Sequence, residues 1–287
     1  TQGYGYSDIQ TKEPFTPNTV INIASISKTF VGVALMNLVE NGLISLDEDV
    51  NTFLPFKVQN PHLPESIITP RHLMSHSSGI QDNQKVYLPS YHYGGDSPIP
   101  LGEFLADYLS PDGTHYSKKN FTKSNPGGNF VYSNIGAGLA GYIVERVSGK
   151  PLNVFTRDVI FKPLKMNNTC WFLSEMDRSK HTRLYESEKK HTQLKRVDLY
   201  GLTTYPDGGV RTTVTDLSYY LLCIMNKGLY KDMRILKEET VIDMLTPDYI
   251  DSYTKLWGIG DQIGHGGGDP GVSTGMYYLP KEKLGII

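Results

Sequence analysis

The chain has 287 residues, 39% of them hydrophobic and 20% charged, with a formal net charge of −2. That is ordinary for a soluble globular protein, and the length suits one large domain or two interleaved ones. The charge offers no basic field for phosphate backbones, which argues against nucleic acid as a partner. No apolar run approaches the roughly 20 residues of a membrane-spanning helix.

In chain order, residues 1–24 read as a short strand, a turn at Pro14, Pro17 and Asn18, and an extended approach. A helix follows from Ser25 to Glu40, with Val31, Ala34, Leu35, Leu38 and Val39 as one apolar stripe. Asn41-Gly42 is its stop signal. Prolines from Pro55 to Pro111 mark a loop-rich region with short helices, and "ITPRHLMSHSSGI" reads as one helix ending near Gly79. A clearer helix spans Asn134 to Ser148, closed by Gly149. Its glycines 136, 138 and 141 cost about 1 kcal/mol each, which implies close packing against a neighbour. The charged stretch 177–198 reads as a solvated hairpin or loop. "TVTDLSYYLLCIMNKG" is a helix with Thr213 or Thr215 as N-cap and Gly228 as stop. "HGGGDPGVSTGMYYLPKEKLGII" reads as strand, turn and strand. The abrupt start at Thr1 and the strand-like "KLGII" imply a polypeptide longer at both ends. Cys170 and Cys223 fit one disulfide or two buried thiols.

Three stretches carry residue types suited to chemistry. In "IASISKTFV", Ser25 and Lys28 are three apart and share a helix face. A serine hydroxyl needs a base to take its proton. Lysine serves only when neutral; its ordinary pKa is about 10.4, and burial lowers it by up to ~3–5 units. The helix start also offers N–H groups for an oxyanion. In "GNFVYSNIG", Tyr132 suits a general base or proton shuttle beside a lysine cation, and Asn134 can hydrogen-bond that lysine or a substrate amide. In "HGGGDPG", glycines after a strand permit close approach of a ligand to the backbone.

Taken together, Ser-x-x-Lys, Tyr-x-Asn and His-Gly-Gly in this order resemble the serine β-lactamase and penicillin-binding-protein superfamily. The branch is that of class C β-lactamases, D-aminopeptidases, family VIII esterases and β-lactamase-related serine hydrolases. The resemblance covers nearly the whole chain, through "FTPNTVINIASISKTFVGVALMNLVENGLISLDEDV", "ITPRHLMSHSSGI", "FVYSNIGAGLAGYIVERVSGKPL", "PDGGVRTTVTDLSYYL" and "GHGGGDPGVSTGMYYLP". It implies Ser25 as the acylated nucleophile, Lys28 as its activator and Tyr132 as partner base and leaving-group acid. It implies Asn134 as an orienting amide, and His265, Gly266 and Gly267 on a cleft-edging strand. Gly268 would give the second oxyanion N–H beside that of Ser25.

Tyr132-Ser133-Asn134 departs from the Ser-Asp-Asn of class A enzymes, and His-Gly-Gly departs from the Lys-Thr-Gly of class C. A histidine carries only part of a lysine's charge at neutral pH, which favours peptide or ester cleavage over β-lactam hydrolysis.

Two competing motifs fail. Gly271-Val272-Ser273-Thr274-Gly275 has the form of an esterase elbow, but that needs strand, turn and helix, with a histidine downstream. His72 and His76 have zinc spacing, but Leu73 stands where the glutamate of H-E-x-x-H belongs. The expectation is therefore no metal and no cofactor.

The expected fold is α/β (α+β). An antiparallel sheet flanked by helices combines residues 1–50 with 200–287, and 51–199 form a mostly helical, loop-rich domain. The substrate is a small molecule or peptide: a D-amino-acid peptide, a peptidoglycan-like peptide or a small ester. The alternatives are a class C type β-lactamase and a catalytically silent penicillin-binding sensor. Family habit implies an extracytoplasmic location, periplasmic or secreted, and nothing in the sequence sets the oligomeric state.

Overall fold

The computed structural model describes residues 2–188 and 193–287. The chain opens with a hairpin of β1 (Tyr6–Asp8) and β2 (Glu13–Pro14), then β3 (Ile21–Asn22). A one-turn 3-10 helix, Ala24–Ile26, runs straight into α1 (Ser27–Glu40). The sequence predicts an amphipathic helix here. The observed helix is buried nearly all round, from Ser27 through Met36 and again at Leu38. A helix apolar on every side belongs in the middle of a protein, and α1 forms that centre. Phe30 stacks on Tyr220 at 4.1 Å and meets Phe161 edge-on at 5.4 Å.

The loop-rich middle carries α2 (Pro70–Met74), α3 (Gln84–Tyr87), β4 (Tyr91–Tyr93) and α4 (Leu101–Leu109). The helix expected across 68–79 stops at Met74, because His76 takes φ +52°. A left-handed residue cannot continue a right-handed helix. Next come α5 (Asn134–Ser148), with the predicted bounds, and α6 (Leu152–Thr156). Ser133 caps α5 by accepting from the Gly136 N–H at 2.9 Å, and Gly149 ends it at φ +67°.

The charged stretch forms the hairpin β5 (Leu184–Glu188) and β6 (Gln193–Val197), with 189–192 outside the described residues. β7 (Tyr200–Leu202) pairs with β4, and β8 (Arg211–Thr212) pairs with β3. α7 (Val214–Met225) starts at Thr213, whose hydroxyl accepts from the Asp216 N–H at 3.0 Å. β9 (Leu229–Tyr230), β10 (Met233–Arg234) and α8 (Glu238–Met244) lead to the main sheet. That sheet is antiparallel, with β11 (Tyr253–Thr254), β12 (Trp257–Gly258), β13 (Ile263–Asp269), β14 (Val272–Leu279) and β15 (Leu284–Ile286) in chain order. Gly271–Gly275 is the β13–β14 turn and the start of β14, so no helix follows Ser273. Cys170 and Cys223 are free thiols. Among the described residues no helix is long and apolar enough to cross a membrane.

The N-terminal segment does not hydrogen-bond along the main sheet as a strand. It lies against the sheet through the 24–26 turn. Thr274 Oγ1 donates to the Ile23 carbonyl at 3.0 Å, and a Cβ on Gly267 would sit 2.3 Å from that same oxygen. The glycine is what lets the serine-bearing turn press onto β13. On its other side β13 pairs with β12 only at Gly264, so the strand edge beside the turn stays open.

The predicted close packing at the α5 glycines holds at one of them. A Cβ on Gly141 would lie 2.5 Å from Pro206 Cβ, while one on Gly138 would meet Thr204 at an ordinary 3.7 Å. Gly141→Ala should therefore cost roughly 1–3 kcal/mol, and Gly138→Ala should gain up to about 1 kcal/mol of helix propensity. Urea melts of the two variants check this; equal effects would contradict it.

Candidate active site

Ser25 sits at the centre of the 3-10 turn, not in the α-helix proper. The residue before it, Ala24, has φ +48°. A side chain at positive φ is strained and persists only when its surroundings fix it. Two bonds do so. The Ala24 N–H donates to Asn22 Oδ1 at 2.6 Å, and the Val210 N–H donates to Ser27 Oγ at 2.9 Å. The turn is thus clamped from β3 and from the segment before β8, with Ser25 half-exposed between them.

Lys28 lies one turn further on and is fully buried. Its Nζ has three acceptors: Ser25 Oγ at 3.1 Å, Asn134 Oδ1 at 2.8 Å and the Asp207 carbonyl at 2.6 Å. An ammonium has three N–H donors, and each finds a partner. Nζ also stands over the Tyr132 ring, 4.9 Å from its centroid. Burial pulls the Lys28 pKa down, but its interactions with Tyr132 and Asp207 outweigh it, and the net shift is upward. The sequence reading expected burial alone to set the direction. The partners that reverse it, Tyr132 first and Asp207 second, lie far from it in the sequence.

Tyr132 is 37% exposed at the cleft, its ring packed on His76 with centroids 4.3 Å apart. Asn134 is held by a residue the sequence did not single out. Asp82 accepts from Ser133 Oγ at 2.9 Å, the Asn134 N–H at 3.0 Å and the Ile135 N–H at 3.1 Å. A carboxylate at the start of a helix satisfies N–H groups and complements the helix dipole. Only the contact across 52 residues reveals it.

His265 departs from its expected role as a part-time cation. It is buried, its Nδ1–H donates to the Gly266 carbonyl at 2.6 Å, and its Nε2 accepts from the Tyr253 hydroxyl at 2.9 Å. Burial first, and the Lys28 charge second, push its pKa down to about 4. It is a neutral strut. It shares a strand face with Gly267 and Asp269, by the two-residue period of a strand. Gly266 and Gly268 take the other face, and a Cβ on Gly268 would meet nothing within 4 Å.

His72 and His76 part company because the helix breaks between them. His72 stacks on Tyr249 at 5.1 Å, and His76 Nδ1 accepts from the Ser133 N–H at 3.2 Å. Burial pushes the His76 pKa well down.

The site thus combines a serine on a strained turn, a buried lysine bonded to it and a glycine-rich strand. The chain belongs to the beta-lactamase family, whose profile matches residues 1–287. It is 25% identical over its whole length to Protein flp of Staphylococcus aureus and 26% identical over 98% of its length to Penicillin-binding protein 4* of Bacillus subtilis. It spans 55% and 62% of those two proteins. Among solved structures, it resembles the octameric penicillin-binding protein homologue from Pyrococcus abyssi at a TM-score of 0.82 and 29% identity, covering 99% of this chain and 64% of that one. The D-amino acid amidase of Ochrobactrum anthropi shares the fold at a TM-score of 0.76 and 22% identity, covering 97% and 79% of the two chains.

Two outcomes follow from this geometry. A histidine with a depressed folded pKa binds its proton in the unfolded chain first. His265 therefore lends stability that is complete above pH 6.5 and is lost as pH falls toward about 4. The loss is about 3 kcal/mol by pH 4, and His265→Gln should flatten that part of a thermal-stability profile between pH 7 and pH 4. Asp82→Ala should cost roughly 1–3 kcal/mol by stranding the α5 N–H groups, and should slow active-site labelling by freeing Asn134. Melting together with labelling kinetics reads both, and a variant that melts lower yet labels at the native rate would separate Asp82 from the site.

Proposed function

We propose that the protein is a serine hydrolase that cleaves an amide or ester through an acyl-enzyme on Ser25. The observation that carries this is the 3.1 Å contact between Lys28 Nζ and Ser25 Oγ, with Asn134 on the same ammonium. In this reading Ser25 Oγ gives its proton to Lys28 or Tyr132 and attacks the substrate carbonyl. The carbonyl oxygen takes the negative charge and rests between the N–H groups of Ser25 and Gly268. Collapse expels the amine or alcohol, which takes a proton from Tyr132. Water then attacks the acyl-Ser25 ester, gives up its proton to the same base and releases the acid. Gly266 and Gly267 keep the strand bare, so that an extended substrate lies along its edge.

The substrate is a D-amino-acid peptide or amide, a peptidoglycan-like peptide or a small ester. Neutral His265 offers no cation to a substrate carboxylate, which supports an amide or ester without one over a β-lactam. The fold shared with D-amino acid amidases agrees. The family relationship also supports action outside the cytoplasm.

Ser25→Ala should abolish labelling by a fluorophosphonate, and Lys28→Ala should lower p-nitrophenyl ester turnover by about 10²–10⁴-fold. Unchanged labelling of Ser25→Ala would overturn the assignment. Across nitrocefin, D-Ala-D-Ala peptides, D-amino-acid amides and short-chain esters, turnover should be lowest on nitrocefin.

A further inference from the structure

Asp207 stands inside "PDGGVRTTVTDLSYYL", where the sequence reading gave it no role, yet among carboxylates it acts most strongly on the lysine. It ends the 3-10 turn Tyr205–Asp207, which packs on α1 and α5. The side chain is 2% exposed, and its backbone carbonyl receives Lys28 Nζ. Its two carboxyl oxygens accept from the Tyr87 hydroxyl at 3.3 Å each, and the Thr204 side chain also favours the charged form. Burial outweighs this support and pushes the Asp207 pKa up to about 7 against the pull of Lys28.

The polar path continues outward. The Tyr87 and Tyr91 rings meet edge-on at 5.9 Å with coupled hydroxyls, and the Tyr91 hydroxyl donates to Asp269 Oδ1 at 2.7 Å. Asp269 follows Gly268 on β13. The titratable groups acting on Asp207 are therefore Lys28 from α1, Tyr87 from α3, Asp269 from β13 and Asp82 from the segment before α3. Beyond them, Tyr91 of β4 and Arg211 of β8 act on Asp269. Tyr132, before α5, acts on Lys28 directly, and the neutral His76 and His265 lie within reach of its charge.

The contacts of Lys28 give the charge of Asp207 a chemical consequence. Asn134 Oδ1 and the Asp207 carbonyl can only accept, so they occupy two N–H groups of Lys28 whatever its charge. The third position faces Ser25 Oγ. On an ammonium it holds an N–H, which donates to the serine and cannot receive a proton. On a neutral amine it holds the lone pair, aimed at the serine hydroxyl. One proton on Lys28 therefore decides whether Ser25 is held or activated.

We propose that Asp207 is a positioning acid for the active site, whose carboxyl, tied through Tyr87 and Tyr91 to Asp269, sets the charge of Lys28 and so the reactivity of Ser25. The ionised carboxylate locks Lys28 as the ammonium, and the protonated acid releases it. The two forms are Lys–NH3+ and Lys–NH2: the carboxyl biases them through space, since Nζ bonds the Asp207 backbone carbonyl, and the proton that leaves Lys28 goes to solvent. In the second form Lys28 takes the Ser25 proton as Oγ attacks, and the ammonium is regenerated.

The inference rests on the Ser25 reading, and the two fail separately. The measurement is the second-order rate of labelling by a fluorophosphonate from pH 5 to pH 10, which rises with pH as the base loses its proton. In Asp207→Asn the rising limb should move to lower pH by about one unit or more, a rate about tenfold higher at a pH on the limb. A limb left in place, at whatever overall rate, overturns the proposal. Should Asp207→Asn fail to fold, Tyr87→Phe decides. It strips the carboxylate of the Tyr87 donor and should shift the limb the same way by a smaller amount, and an unmoved limb there overturns the proposal equally. A wild type that never labels overturns the Ser25 reading and this proposal with it.

Discussion

A lysine ammonium buried at the centre of the fold must have every N–H satisfied, and much of the architecture follows from that requirement. An unpaired buried charge costs several kcal/mol or more. The acceptors of Lys28 come from three places in the chain: Ser25 in the same turn, Asn134 at the head of α5 and the Asp207 carbonyl. For these to converge, α1 must lie against α5, and the 205–207 turn must close over both. Gly141 is the packing signature of that closure, since no side chain fits between α5 and Pro206.

The other half of the site depends on bare backbone. β13 carries three consecutive glycines, and Gly267 admits the Ile23 carbonyl to a distance any Cβ would block. The strained Ala24 is held there by Asn22 and by the bond to Ser27. The scaffold spends folding energy on a conformation that presents Ser25 to the cleft, which is where positive-φ strain in non-glycine residues tends to concentrate. His265 completes this side as a neutral hydrogen-bonded strut between Gly266 and Tyr253.

The elements that local chemistry controls were legible residue by residue. Gly149 closes α5 as read, Thr213 is the one of its two candidate caps that starts α7, and the strand, turn and strand read from His265 onward are present as β13 and β14, whereas the cap of α5, Ser133, was not read. Where a single residue broke a pattern, the reading failed. His76 at φ +52° ends α2 early, and nothing in "HLMSH" announces it. The amphipathic reading of α1 missed its full burial, because polar Ser27, Lys28 and Thr29 are buried as completely as their apolar neighbours. Asp207 and Asp269 went unremarked for a related reason: an aspartate beside glycine looks like turn chemistry until its partners are known. Asp82, between Gln81 and Asn83, shows its role only through contacts across the fold.

The sequence by itself placed Ser25 and Lys28 three apart on one helical face, and the resemblance it carries put forward Tyr132, Asn134 and the strand 265–268 beside them. Spacing is local, so it needs no fold to be read. Tertiary structure decided the charges. Lys28 stays protonated, His265 and His76 stay neutral, and Asp207 is poised near 7, because burial and neighbouring charge set each state. Both depend on distances between residues far apart in the chain, and those distances exist only once the chain has closed on itself.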